Sequence, residues 1–124
     1  MKKDWKEVLT KEEFFVCRQK GTEPAFSGTY DKLFEDGQYF CKCCGSYLFN
    51  SKDKFNSGSG WPSFTSQAKE GNILFLEDNS HGMRRIEVQC SKCRSHLGHV
   101  FDDGPSPSFK RFCINSLSLK FKKS

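Results

Sequence analysis

Apolar positions recur along the chain with two different periods, and the change between them predicts its elements. Near the start, Thr10-Lys11-Glu12-Glu13 reads as a capping box, with Thr10 as N-cap and Glu13 three positions on. Leu9 before the cap and Phe14 after it supply a hydrophobic staple, so a helix is expected over about residues 11–20, stopped by Gly21. Residues 21–30 carry no period and read as irregular structure. Beyond them the spacing falls to two. Residues 38–41 and 46–49 read as a short hairpin, and residues 56–64 as a glycine-rich loop. Residues 72–76 and 84–89 read as strands on either side of a polar turn at 78–82, and residues 96–101 as another strand. Asp102-Asp103-Gly104-Pro105 is a turn, and residues 111–121 form the longest strand candidate. In a regular strand Arg111, Cys113 and Asn115 share one face, followed by Leu117, Leu119 and Phe121, while Phe112 and Ile114 face the other way. The expectation is a mainly β chain, mostly antiparallel, with a helical N-terminal segment.

Length bounds this picture. The chain has 124 residues and weighs 14.3 kDa, which suits one domain over 1–124 with residues 122–124 as a basic tail. The longest aliphatic and aromatic run, Ile73-Leu74-Phe75-Leu76, is far short of the roughly 20 residues of a membrane helix. The start, Met1-Lys2-Lys3-Asp4-Trp5, has no apolar stretch of the secretory kind, so a cytoplasmic protein is expected. The net charge of +5 is not spread evenly. Residues 1–108 hold 15 basic and 15 acidic residues, and the excess is Lys110, Arg111, Lys120, Lys122 and Lys123. A solvated chain end accounts for most of it. The competing reading is a zinc-ribbon module using this basic end to bind nucleic acid or another protein.

The seven cysteines change the picture more. Their odd number argues against a disulfide framework. Cys41/Cys44 and Cys90/Cys93 each have C-x-x-C spacing, and two such pairs make a four-thiolate set suited to structural zinc. The 45 intervening residues make this a clip between distant parts of one fold, with Cys43 a bystander. That leaves Cys113 among the thiols open to chemistry. Arg111 on its face and Lys110 nearby would favour its thiolate. The segment from Ser95 to Gly104 brings His96, His99, Asp102 and Asp103 directly after the second zinc pair, and it could place an imidazole beside the thiol. His96 and His99 have opposite parity in a regular strand, so both reach one site only if the chain bends near Gly98.

Five strings resemble, in their order, the methionine-R-sulfoxide reductases of the B type: Gly21-Thr-Glu-Pro-Ala-Phe-Ser-Gly28, Gly58-Ser-Gly-Trp-Pro-Ser-Phe64, His81-Gly-Met-Arg-Arg-Ile-Glu-Val88, Ser95-His-Leu-Gly-His-Val-Phe-Asp-Asp-Gly-Pro105 and Arg111-Phe-Cys-Ile-Asn-Ser116. Both cysteine pairs fall among them, and the resemblance runs from about Trp5 to Phe121. It implies two antiparallel β-sheets and reduction of the R epimer of methionine sulfoxide, protein-bound or free. It implies Cys113 as the catalytic nucleophile, with His99, His96, Asp103, Arg111 and Asn115 around it. Trp61 and Phe101 would line the substrate pocket, and Cys41, Cys44, Cys90 and Cys93 would hold zinc. In that chemistry His99 protonates the sulfoxide oxygen, Cys113 becomes a sulfenic acid, and Asp103 orients an imidazole. Many members carry a second, resolving cysteine where this chain has Ser59. Cys17 is the internal candidate for that role, and direct reduction by a thioredoxin-like partner is the alternative. A monomer without nucleic-acid or membrane partners is expected.

Overall fold

Thr10 caps its helix as its sequence suggests: its hydroxyl accepts a hydrogen bond from the Glu13 N–H at 3.1 Å, and the Glu13 carboxylate accepts from the Thr10 N–H at 2.9 Å. The computed structural model describes residues 5–123. It opens with α1 (Trp5–Val8) and α2 (Lys11–Arg18). The second helix ends two residues before the expected limit. There Lys20 takes a left-handed φ of 58° and the Gly21 N–H turns back to the Phe15 carbonyl at 2.9 Å. Its inner face buries Val16 and Cys17 against the end of the chain.

Nine strands follow: β1 (Gly37–Cys41), β2 (Tyr47–Asn50), β3 (Lys54–Phe55), β4 (Ser63–Phe64), β5 (Ile73–Asp78), β6 (Arg85–Cys90), β7 (His96–Phe101), β8 (Arg111–Ile114) and β9 (Leu119–Lys123). They form two sheets, one ordered β2-β1-β9 and the other β3-β4-β8-β7-β6-β5, with every neighbouring pair antiparallel. The core holds Tyr39, Leu48 and Phe49 from the small sheet with Phe64, Leu97 and Ile114 from the large one. Phe49 stacks on Phe64 with centroids 4.4 Å apart, and Tyr39 meets Phe64 edge-on at 5.1 Å. Such aromatic pairs add about 0.5–1.5 kcal/mol each beyond the area they bury. Among the described residues no helix is long and apolar enough to cross a membrane.

The expected single strand over 111–121 is instead two strands in different sheets. β8 ends at Ile114, a 3-10 turn covers Ser116–Ser118, and β9 then pairs with β1. The run Asn115-Ser116-Leu117-Ser118 holds this crossing in place, because its three polar side chains hydrogen-bond to main-chain groups of other segments. Asn115 Nδ2 donates to the Leu97 carbonyl, Ser118 Oγ donates to the His96 carbonyl, and Ser116 Oγ accepts from the Tyr30 N–H. Lys122 and Lys123 lie on β9 opposite Gln38 and Gly37, and Ser124 lies outside the described residues.

Candidate active site and metal centre

The centre of the large sheet positions Cys113. On β8 it stands opposite His99 of β7 and Ser63 of β4. A cavity of about 110 Å³ opens there, lined by Thr22, Trp61, His99, Phe101, Cys113 and Asn115, with Gly98 and Arg85 completing it. Five expected site residues therefore share one hollow, although they come from a loop, two strands and the turn that follows β8.

His96 and His99 come together through a bulge. Val88 pairs with Gly98 and Gln89 with His96, so Leu97 is the extra residue on β7. One inserted residue reverses the alternation of faces, and the two imidazoles lie edge to face with centroids 5.6 Å apart. Only His99 lines the Cys113 cavity. His96 is buried behind it, with Nδ1 2.7 Å from Glu87 Oε2, and lines a neighbouring polar hollow.

The carboxylate on the imidazole is not Asp103. His99 Nε2 lies 2.8 Å from Asp78 Oδ2, at the end of β5. Hydrogen bonds from Ser80 and His99 hold the Asp78 carboxyl well below the usual carboxylate range. Asp103 instead grips Arg111 with two hydrogen bonds of 2.8 and 3.1 Å, at the rim of the cavity. The geometry is the bidentate one in which a guanidinium matches a carboxylate. That pairing sets the guanidinium over the Phe101 ring at 4.4 Å. Lys110 pairs with exposed Asp102.

The expected support of a thiolate is present but outweighed. Burial pushes the Cys113 thiol up from its ordinary value, while Arg111 and the Ser59 hydroxyl pull it down. Ser59 belongs to a chain of hydroxyls in which Ser57 Oγ lies 2.8 Å from Ser59 and 2.7 Å from Ser63.

Glu23 is a residue that sequence reasoning passed over. It is 2% exposed and holds three pieces of the site. Its carbonyl accepts from Trp61 Nε1 at 2.9 Å, its N–H donates to Asn115 Oδ1 at 3.0 Å, and its Oε1 accepts from the Leu117 N–H at 2.9 Å. Burial raises its carboxyl above the ordinary range. The one signal was a lone acidic residue ahead of Pro24 in an otherwise small and apolar string. For Asp78 the signal was weaker still, a carboxylate ahead of an Asn-Ser turn.

Away from this cavity, the four paired cysteines converge. The sulfurs of Cys41, Cys44, Cys90 and Cys93 all lie within 4.8 Å of one another, with Cys41–Cys93 at 3.5 Å and Cys44–Cys90 at 3.4 Å. The two knuckles repeat one geometry. Gly45 N–H donates to Cys41 and Arg94 N–H to Cys90, and both residues have positive φ, 79° and 65°. A tetrahedral ion with sulfurs at about 2.3 Å needs them about 3.8 Å apart, so the set fits a metal ion. Cys43 is buried beside the cluster but outside it. Cys17 is buried too, its sulfur 3.6 Å from the Leu117 carbonyl and 3.9 Å from Ser118 Oγ, and it does not line the Cys113 cavity.

Two antiparallel sheets, a cysteine facing a histidine under an aromatic wall and a separate cluster of four thiols that fits a metal ion define a β protein with a thiol-centred site. Residues 9–123 match the SelR domain, and the chain belongs to this family of methionine-R-sulfoxide reductases. It is 54% identical to the peptide methionine sulfoxide reductase MsrB of Alteromonas mediterranea, over 97% of this chain and 84% of that protein. It is 55% identical to the enzyme of the same name from Leptospira interrogans, over 97% of this chain and 92% of that protein. With that from Methanosarcina mazei the identity is 56%, over 97% of this chain and 86% of that protein.

Proposed function

We propose that this chain reduces methionine-R-sulfoxide in peptides and proteins, with Cys113 as nucleophile and His99 as proton donor. The observation that carries the assignment of roles is the shared cavity of Cys113, His99, Trp61 and Asn115. Family membership supplies the reaction.

The chemistry follows from those groups. The sulfoxide S–O bond is polarised, and its oxygen leaves sulfur only as it gains a proton. Protonated His99 donates to that oxygen while Asp78 holds the opposite ring nitrogen and fixes the ring. Trp61, held by Glu23, offers an aromatic face to the S-methyl group as sulfur becomes electron-poor. The Cys113 sulfur attacks, the S–O bond breaks, and the oxygen passes to Cys113 as a sulfenic acid. Sulfoxide sulfur gains two electrons and the thiol loses two. Two thiols of a reductant then restore Cys113, releasing water and a disulfide. Arg111, tied to Asp103, offsets part of the cost of burying the Cys113 thiolate.

The cluster Cys41, Cys44, Cys90 and Cys93 suits zinc, with four sulfurs closing the coordination shell in a structural role. For recycling, Ser59 cannot form a disulfide, and Cys17 is buried against Leu117 and Ser118. An external dithiol of the thioredoxin type, acting on Cys113 directly, fits these positions better than an internal exchange. A chain with seven unpaired thiols suits a reducing compartment.

A dithiothreitol-driven assay on the separate R and S epimers of a blocked methionine sulfoxide tests the reading. The R epimer alone should be consumed, and Cys113→Ser should lose turnover while keeping its melting temperature. Turnover of neither epimer by reduced, zinc-loaded protein would sink it.

A further inference from the structure

Three hollows of this molecule meet at Thr22. One is the Cys113 cavity. Beside it a groove of about 710 Å³ runs along α2, in which Leu9, Phe14, Phe15, Val16, Pro24 and Leu117 supply apolar surface between polar and charged residues such as Lys11, Glu12 and Gln19. On the third side is a hollow of about 350 Å³ whose walls include the carboxylates of Glu77, Asp78 and Glu87. We propose that the apolar groove seats an apolar side chain of the substrate polypeptide, a few residues along the chain from the methionine sulfoxide. The proposal rests on the reading of the Cys113 cavity as the active site.

The argument begins with size. The Cys113 cavity takes one side chain, so the main chain of a peptide substrate must run out over its rim. At Thr22 the rim is also the lip of the groove, and Glu23, which anchors Trp61 and Asn115, lines the groove from the other side. Thr22 therefore stands in the wall between the two, lining both. An extended chain advances about 3.3 Å per residue, so one to three residues bridge it.

The chemistry of the walls selects the occupant. Scattered exposed apolar residues mean little, but six apolar residues gathered in one groove with a polar rim mark a binding surface. Phe15 is 50% exposed, yet its ring is not loose: it lies so close over Gly21 that a Cβ there would meet it at 2.2 Å. A half-exposed aromatic held in place is a ready contact for another apolar group. The carboxylates of the third hollow make it a poor home for such a group. An apolar neighbour close to methionine is the ordinary environment of a core segment, so the groove selects extended stretches of unfolded chain over folded surfaces or free methionine sulfoxide.

Short blocked peptides carrying the R epimer, with Leu or Ser at one to three positions on either side, test this. The reference substrate is N-acetyl methionine sulfoxide. On the wild-type chain the best Leu peptide should exceed its Ser counterpart in kcat/KM by about fivefold or more, chiefly through KM. In Phe15→Ser that ratio should fall close to one, with turnover of the reference substrate unchanged, and Phe15→Leu should restore it. Equal kcat/KM for every Leu and Ser pair on the wild-type chain would overturn the proposal, and that comparison needs no variant to fold. So would a Leu preference that survives Phe15→Ser intact. A preference that fades as protein concentration rises would assign the groove to a second copy of the chain instead. Loss of all turnover, reference substrate included, would strike the active-site reading itself.

Discussion

Two carboxylates divide the electrostatic work around Cys113, and they make opposite demands on the site. Asp103 is spent on Arg111 at the rim, while Asp78 faces the imidazole. Asp78 stays ionised across the working range because Ser80 and His99 hydrogen-bond to its charged form. Asp78→Asn keeps the shape and removes the charge that faces the His99 ring. The expected result is a kcat lower by about tenfold to a hundredfold with KM little changed. Steady-state kinetics of the variant check this, and an unchanged kcat would remove Asp78 from the mechanism. Glu23 predicts a pH effect. Burial raises its carboxyl above the unfolded value of about 4.3. Its contribution to stability is thus fully present below that value and is lost as pH rises through the folded-state value. Glu23→Gln escapes that loss, so its melting temperature should gain on wild type as pH rises from about 4 to neutrality. Parallel thermal curves of the two proteins at every pH would contradict the assignment.

Whole elements depend on single close approaches between β7 and β8. Gly98 lies opposite Ile114, and a Cβ added to it would stand 2.0 Å from the Cys113 carbonyl oxygen. That neighbour is main chain and cannot swing aside. Gly98→Ala should therefore part the two strands at the point where His99 faces Cys113. The expected result is a loss of turnover of about a hundredfold or more with a lowered melting temperature. Turnover within a few-fold of wild type would show that the strand pair yields. The same region shows what was legible in the sequence. The helix start was readable because Thr10 and Glu13 satisfy each other within four residues. The strands β5, β6 and β7 were readable from their apolar spacing and the turns that bound them. The Leu97 bulge was foreseen only as a condition, that both histidines reach one site if the chain bends near Gly98. The break between β8 and β9 was hidden because Leu117, Leu119 and Phe121 keep a period of two across a change of sheet. Only the partners of Asn115, Ser116 and Ser118, all distant in sequence, reveal it. Cys113, His99 and Trp61 stood out through motifs. Asp78 did not, because its bond to His99 spans 21 residues and depends on how β5, β6 and β7 align.

At the scale of the molecule, the four-cysteine cluster joins the two sheets. Cys41 ends β1 of the small sheet and Cys90 ends β6 of the large one, and each knuckle completes its pair within three residues. The crossing from β8 to β9 joins the sheets a second time, through hydrogen-bonded polar side chains near the active site. Asn115 belongs to that crossing and to the cavity, so any shift of one sheet against the other moves a wall of the site. A metal bound only by the folded chain adds its binding free energy to folding. Stripping it should release one zinc per chain and lower the melting temperature by at least about 10 °C. Turnover should be lost in step with the fold and regained when zinc is restored. Cys44→Ser should move in the same direction without any chelator, since it removes one of four ligands and leaves Cys113 untouched. The decisive comparison is activity at a low temperature where the stripped chain is still folded by circular dichroism. Turnover there near the wild-type level fits a cluster that acts only by holding the sheets together. A large loss from a chain still folded would mean that the clip also sets the alignment of Cys113 and His99, through Ser95 and the start of β7.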